Sequence, residues 1–188
     1  ERLALFGGRH IRPGFQEHSL LPGAYSYYDE LWLYNPRLPA WQMEQPEGPR
    51  PTPRDHHGAA CVDGSLFIFG GRVSEMRDAS AVRGDVWSYS LRSRRWTEHQ
   101  PSSQAKPHAR YMPGVTAVRW QGQEALAVFA GERLPGSTKK SSLNDVWLFQ
   151  PGSASWTLLA EKHCKHKFVV TEEDLEASEE EEEEEEGA

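Results

Sequence analysis

Long apolar runs are missing from this chain of 188 residues. No stretch reaches the roughly 18 consecutive apolar residues of a membrane-spanning helix, so a helical membrane protein is excluded. Cysteine is nearly absent. Cys61 and Cys164 are too few for a disulfide framework, and reducing surroundings, cytoplasmic or nuclear, are the expectation. Glu1 opens the chain with no Met and no charged region ahead of an apolar stretch, so no signal peptide is visible. P-loops, dinucleotide-type glycine patterns and nucleophile elbows are all lacking. Apolar residues make up 37%, the low edge of the globular range, and the length fits one domain and a tail.

Charge is unevenly spread. From Thr171 to Ala188 there are twelve acidic residues, including the unbroken run Glu179–Glu186, and no Lys or Arg. The remaining residues 1–170 carry 16 acids against 21 Lys and Arg, a net of +5. A block of eight Glu repels itself and has nothing to bury, so 171–188 is expected to be a disordered acidic tail. Such a tail solubilises, binds basic partners, or screens the chain's own basic body. Ser178, followed by three Glu, matches an acidophilic kinase site. Nucleic acid is a disfavoured partner, given this tail and the modest charge of the body.

The aromatic residues reveal a repeat, the feature to seek before any local assignment. Trp32 and Trp41, Trp87 and Trp96, and Trp147 and Trp156 are each nine residues apart. Upstream of each pair an apolar run ends in small residues: Leu3-Ala4-Leu5-Phe6-Gly7-Gly8, Leu66-Phe67-Ile68-Phe69-Gly70-Gly71 and Leu126-Ala127-Val128-Phe129-Ala130-Gly131. In the second unit Gly58–Val62 meets an Asp63-Gly64 turn, a strong hairpin signal, and returns through Leu66–Phe69. Val86–Tyr89 and a segment opening at Trp96 supply two more strands. Four antiparallel strands per unit, repeated radially, make a propeller blade.

Pro51-x-Pro53-Arg54-x-x-His57, Phe69-Gly70-Gly71-Arg72, Asp85-Val86-Trp87 and Trp96 together resemble a kelch repeat. The first unit matches from Leu3 onward but lacks its innermost strand. The third departs from the pattern, with Ala130 for the first Gly, Glu132 for Arg, and about four extra residues around Trp120-Gln121-Gly122-Gln123. The resemblance implies an all-β fold of about three kelch-type propeller blades, near 1–46, 51–100 and 107–160. Residues 161–170 follow as a basic linker or a closing strand, Phe168-Val169-Val170. Propellers close with about four to eight blades, so these three are expected to be part of a larger ring.

On this reading Phe6, Phe69, Phe129, the Gly7-Gly8 and Gly70-Gly71 pairs, Gly131 and all six paired Trp hold neighbouring blades together. Arg9, Arg54, Arg72 and Arg110 recur at matching places. They either bond between blades or ring the central channel, where guanidinium groups take carboxylates or phosphates bidentately. The meander places the long loops 9–28, 42–57, 72–84, 97–113 and 132–144 on one face, and only short turns on the other. Long loops on a rigid scaffold are where binding residues sit. Phe15, Tyr25, Tyr27 and His56 join the four arginines as candidate partner contacts.

Kelch proteins commonly act as adaptors or scaffolds, so the expected function is non-catalytic protein binding through the long-loop face, with acidic segments favoured. The alternative is an enzyme or small-ligand binder of the galactose-oxidase-like or sialate-epimerase-like kind, using the basic channel mouth. No cofactor, catalytic residue or metal site is expected. His163-Cys164-Lys165-His166 offers three ligands but no second pair to complete a tetrahedral zinc site.

Overall fold

Backbone pairing in the computed structural model follows the repeat read from the tryptophans. Residues 2–16, 21, 23–75, 79–133 and 141–161 are described. The acidic tail with Ser178, the Phe168–Val170 segment and the His163–His166 group lie outside them.

The first unit opens with β1 (Leu3–Phe6), carries a small hairpin of β2 (Arg9–Ile11) and β3 (Tyr25–Tyr27), and ends with β4 (Leu31–Asn35) and β5 (Ala40–Met43). Its sheet has three strands in the order β1-β4-β5. The second unit is a four-stranded antiparallel meander of β6 (Gly58–Val62), β7 (Ser65–Phe69), β8 (Val86–Ser90) and β9 (Arg95–His99). The third repeats it with β10 (Gly114–Trp120) and β11 (Gln123–Phe129), then the two-residue strands β12 (Glu132–Arg133) and β13 (Ser141–Ser142). β14 (Asp145–Gln150) and β15 (Ser155–Glu161) complete the sheet β10-β11-β14-β15. The described residues hold no α-helix, only one 3₁₀ turn at Ala79–Ala81.

Local chemistry accounts for the turns. Asp63 and Gly64 both take positive φ, the mirror-image turn that matches strand twist. Gln121 and Gly122 do the same at the tip of the third unit. The extra residues there lengthen β10 and β11 to seven each, against five in β6 and β7, and leave the turn itself unchanged.

The first glycine of each pair is required by close approach. A Cβ on Gly7 would lie 2.5 Å from the Arg54 carbonyl oxygen, and one on Gly70 2.5 Å from that of Arg110. The arginine segment leading into each blade therefore docks on the glycines of the blade before it. Gly8 and Gly71 donate their N–H to those same carbonyls at 2.8 and 2.9 Å. Ala130 keeps the left-handed turn at φ 54°.

The core consists of two seams between blades. Phe6 packs edge-on against Trp96 at 5.0 Å, and Phe69 against Trp156 at 5.3 Å. The first two apolar runs thus each supply a ring to the closing Trp of the next blade. Buried rings of this size dominate such seams energetically. Leu31, Ile68, Trp87 and Tyr89 complete the first seam; Val62, Phe67, Leu126, Val128, Trp147 and Phe149 complete the second.

Two of the expected contacts are not made. Trp41 is 49% exposed, its one ring contact among the described residues being with its own blade's Tyr34 at 5.2 Å, and Phe129 is 43% exposed. They occupy the outer faces of the first and third units, where no neighbouring blade stands among the described residues. An apolar cleft of about 260 Å³, lined in part by Leu3, Leu33, Ala60, Cys61 and Leu66, borders the three-stranded first unit on its inner side.

Candidate functional site

The four recurrent arginines divide into two classes. Arg54 and Arg110 are fully buried. Arg54 donates through Nη1 and Nη2 to the two Asp85 carboxylate oxygens at 2.6 and 2.8 Å, and through Nη1 to the Gly70 carbonyl at 3.0 Å. Arg110 repeats the arrangement on Asp145 at 2.5 and 2.8 Å and on the Ala130 carbonyl at 2.9 Å. The indoles of Trp87 and Trp147 donate to the same carboxylates at 2.8 and 2.7 Å. Burial alone would raise Asp85 and Asp145; the arginine and indole donors outweigh it and hold both below the ordinary carboxylate range. Placing Arg54 and Arg110 among partner contacts is therefore corrected. Each side chain is spent within its own blade, clasping the start of the third strand to the end of the second. An Asp precedes the first Trp by two residues in the second and third units, and Glu30 takes that place in the first.

Arg9 and Arg72 stand at the other end of that glycine turn, on the long-loop face. Each is met by the residue that follows the buried arginine of the next blade. For Arg9 that residue is Asp55, which is buried and paired with Arg9 Nε at 2.9 Å and His56 Nδ1 at 2.7 Å. For Arg72 it is Tyr111, whose ring centroid lies 5.7 Å from the guanidinium carbon. Tyr111 turns its hydroxyl to donate to Glu132. Arg9 is thus neutralised by a carboxylate, whereas no carboxylate forms an ion pair with Arg72 among the described residues.

The tyrosines gather on the same pair. Arg9 stacks over the Tyr25 ring at 4.0 Å. Burial pushes the Tyr27 phenol up, and the two guanidiniums beside it only partly pull it back. Arg9 Nη1 and Arg72 Nε are buried donors with no well-formed hydrogen bond among the described residues, and the same holds for the Tyr27 hydroxyl and the Asp55 carboxylate oxygens of the same cluster. Tyr28 is hydrogen-bonded to His10 at the rim, and Phe15 lies exposed on the loop beyond β2. His57 is not part of the surface cluster: its ring packs on Phe6 at 5.4 Å, and burial, with Arg54 nearby, lowers its pKa to about 4. The sequence offered Arg9, Arg72, Tyr25, Tyr27 and His56 as contacts, and these come together. Asp55 and Tyr111, which decide how the two arginines differ, were not singled out by the sequence.

Comparison with known families fits the blades. A family model described as the KLHDC2/KLHL20/DRC7 Kelch-repeats domain matches residues 1–169. The chain belongs to the kelch-repeat family. Mouse Kelch domain-containing protein 2 is 34% identical over 97 residues, covering 45% of this chain and 24% of that protein. Kelch repeat-containing protein 2 of Saccharomyces cerevisiae is 28% identical over 131 residues, covering 67% of this chain and 14% of the yeast protein. The Drosophila melanogaster leucine-zipper-like transcriptional regulator 1 homolog is 28% identical over 131 residues, covering 68% and 12%. The chain spans less than a quarter of the length of these kelch relatives. Kelch domains are generally protein-interaction modules. No helix among the described residues is long and apolar enough to cross a membrane.

Proposed function

We propose that this kelch chain is a non-catalytic protein-interaction module that recognises an acidic segment of a partner on its long-loop face. Arg72 carries the reading. Like Arg9 it stands on that face with a buried donor that lacks a well-formed hydrogen bond among the described residues, but a ring lies beneath it where Arg9 has a carboxylate. Tyr25, Tyr27 and His56 flank the arginine pair with side chains suited to an interface core, aromatic bodies with polar tips. Cys61, exposed and unbridged, fits a reducing intracellular setting, cytoplasmic or nuclear.

A fluorescein-labelled octaglutamate peptide titrated into the chain at low salt tests the proposal by anisotropy. Arg72→Gln is expected to weaken binding at least ten-fold. Arg119→Gln, an exposed change at the short-turn end, should leave it within two-fold. Equal weakening by both would mean diffuse charge attraction and no site.

A further inference from the structure

The last strand ends on the face that carries Arg72. Glu161, the final residue of β15, pairs with Asp145, the first residue of β14. Asp145 holds Arg110 at 2.5 Å; the Arg110 carbonyl accepts from Gly71 at 2.9 Å; and Arg72 is the next residue. Three contacts, one peptide bond and the lengths of two arginine side chains therefore separate the end of the sheet from the guanidinium. Each is short, with the paired strands about 5 Å apart and consecutive Cα atoms about 3.8 Å apart.

Ten residues, 162–171, follow Glu161 before the first acid of the tail, Glu172. Fully extended, ten residues span about 33–36 Å. Everything from Glu172 to Glu186 can thus be delivered to the long-loop face without leaving the molecule. The charge matches as well, since the tail has twelve acids and no base, whereas the body carries a net of +5.

We infer that the acidic tail is an intramolecular occupant of the Arg72 site, competing with the acidic partner for it. The carboxylates already present, Asp55 on Arg9 and Glu132 on Tyr111, leave Arg72 as the position where an added carboxylate gains most. A tethered segment acts at an effective concentration in the millimolar range for a short linker, so an external peptide must displace it. The contact weakens with salt, because the Debye length falls from about 30 Å at 0.01 M to about 10 Å at 0.1 M.

This inference rests on the reading of Arg72 as an acidic-segment site, and the test separates the two. The full-length chain is compared with a variant in which Glu179–Glu186 are all changed to Gln, using the labelled octaglutamate peptide at low salt. The chain with the neutralised tail is expected to bind the peptide at least ten-fold more tightly than the native chain. Arg72→Gln in the neutralised background should abolish that gain, with circular dichroism melting confirming the fold. Equal affinity of the native and neutralised chains overturns the tail as occupant and leaves the partner site standing. No binding by the neutralised chain overturns both. A gain that survives Arg72→Gln overturns the tail's assignment to this site.

Discussion

The two seams between blades share a backbone plan and differ in the side chains that fill it. Glu44 in the first seam and His99 in the second both lie three residues after the closing Trp. In the first seam, buried Glu44 accepts hydrogen bonds from the Tyr89 hydroxyl at 2.7 Å and from Arg94 Nε at 3.0 Å. In the second, Phe149 takes the place of Tyr89 and Ala154 that of Arg94, and His99 stacks on Phe67 at 5.3 Å and meets Phe149 edge-on at 5.5 Å. The long-loop face repeats the contrast, with the Asp55 carboxylate under Arg9 and the Tyr111 ring under Arg72. The first seam closes its charges on itself; the second substitutes rings and leaves one arginine available. Equivalent positions in a repeat thus keep the fold through their backbone while their side chains diverge into structure or recognition.

Substitutions that ignore this contrast should have the largest effects. Arg54→Ala or Arg110→Ala strips half-buried Asp85 or buried Asp145 of its guanidinium and is expected to cost about 3–5 kcal/mol in urea unfolding, alike in the two blades. A much larger effect for one clasp would show that the blades do not share it. Phe6→Ala and Phe69→Ala, which remove seam rings, should cost a comparable 3–5 kcal/mol, while Phe129→Ala, on an exposed ring, should stay near 0.5 kcal/mol.

The polar lock of the first seam is a smaller and more specific target. Tyr89→Phe takes one donor from buried Glu44 and should cost about 1–3 kcal/mol. Combining it with Glu44→Leu, which gives the first seam the apolar character of the second, should recover most of that loss. A double variant as unstable as the single one would contradict the equivalence of the two seams.

Acid should act in two stages. His57 is held near 4, below its ordinary 6.5, by burial first and by Arg54 second, and burial also lowers His99. The unfolded chain therefore binds protons at these sites before the folded one does. Stability should begin to fall as pH drops below about 6.5 and continue to fall to about 4, by on the order of 3 kcal/mol for His57. Asp85 and Asp145 have depressed folded values, so their stabilisation is intact above the ordinary carboxylate range and is lost only at lower pH. His57→Gln should flatten the first stage and leave the second, as read from midpoints of urea unfolding between pH 7 and 3.

The blades were legible in the sequence because one ring per strand end recurs at fixed spacing, and seam packing needs that spacing. The Asp63-Gly64 turn was legible because few residue pairs tolerate two positive φ angles. The fate of the arginines was not. Arg54 and Arg72 both sit in long loops at recurrent positions, and only the fold reveals that Asp85, 31 residues away, captures the first and not the second. Trp41 and Phe129 differ from the other rings for a related reason. A repeat specifies what each ring would pack against, but an exposed outer face depends on whether a neighbour stands there.

Arg9→Gln and Arg72→Gln, compared side by side for octaglutamate binding, most directly test the claim that the ring-backed arginine recognises and the carboxylate-backed arginine holds structure. The account predicts at least a ten-fold loss for Arg72→Gln and less than three-fold for Arg9→Gln, with both variants folded. Equal losses, or the larger loss at Arg9, would contradict it.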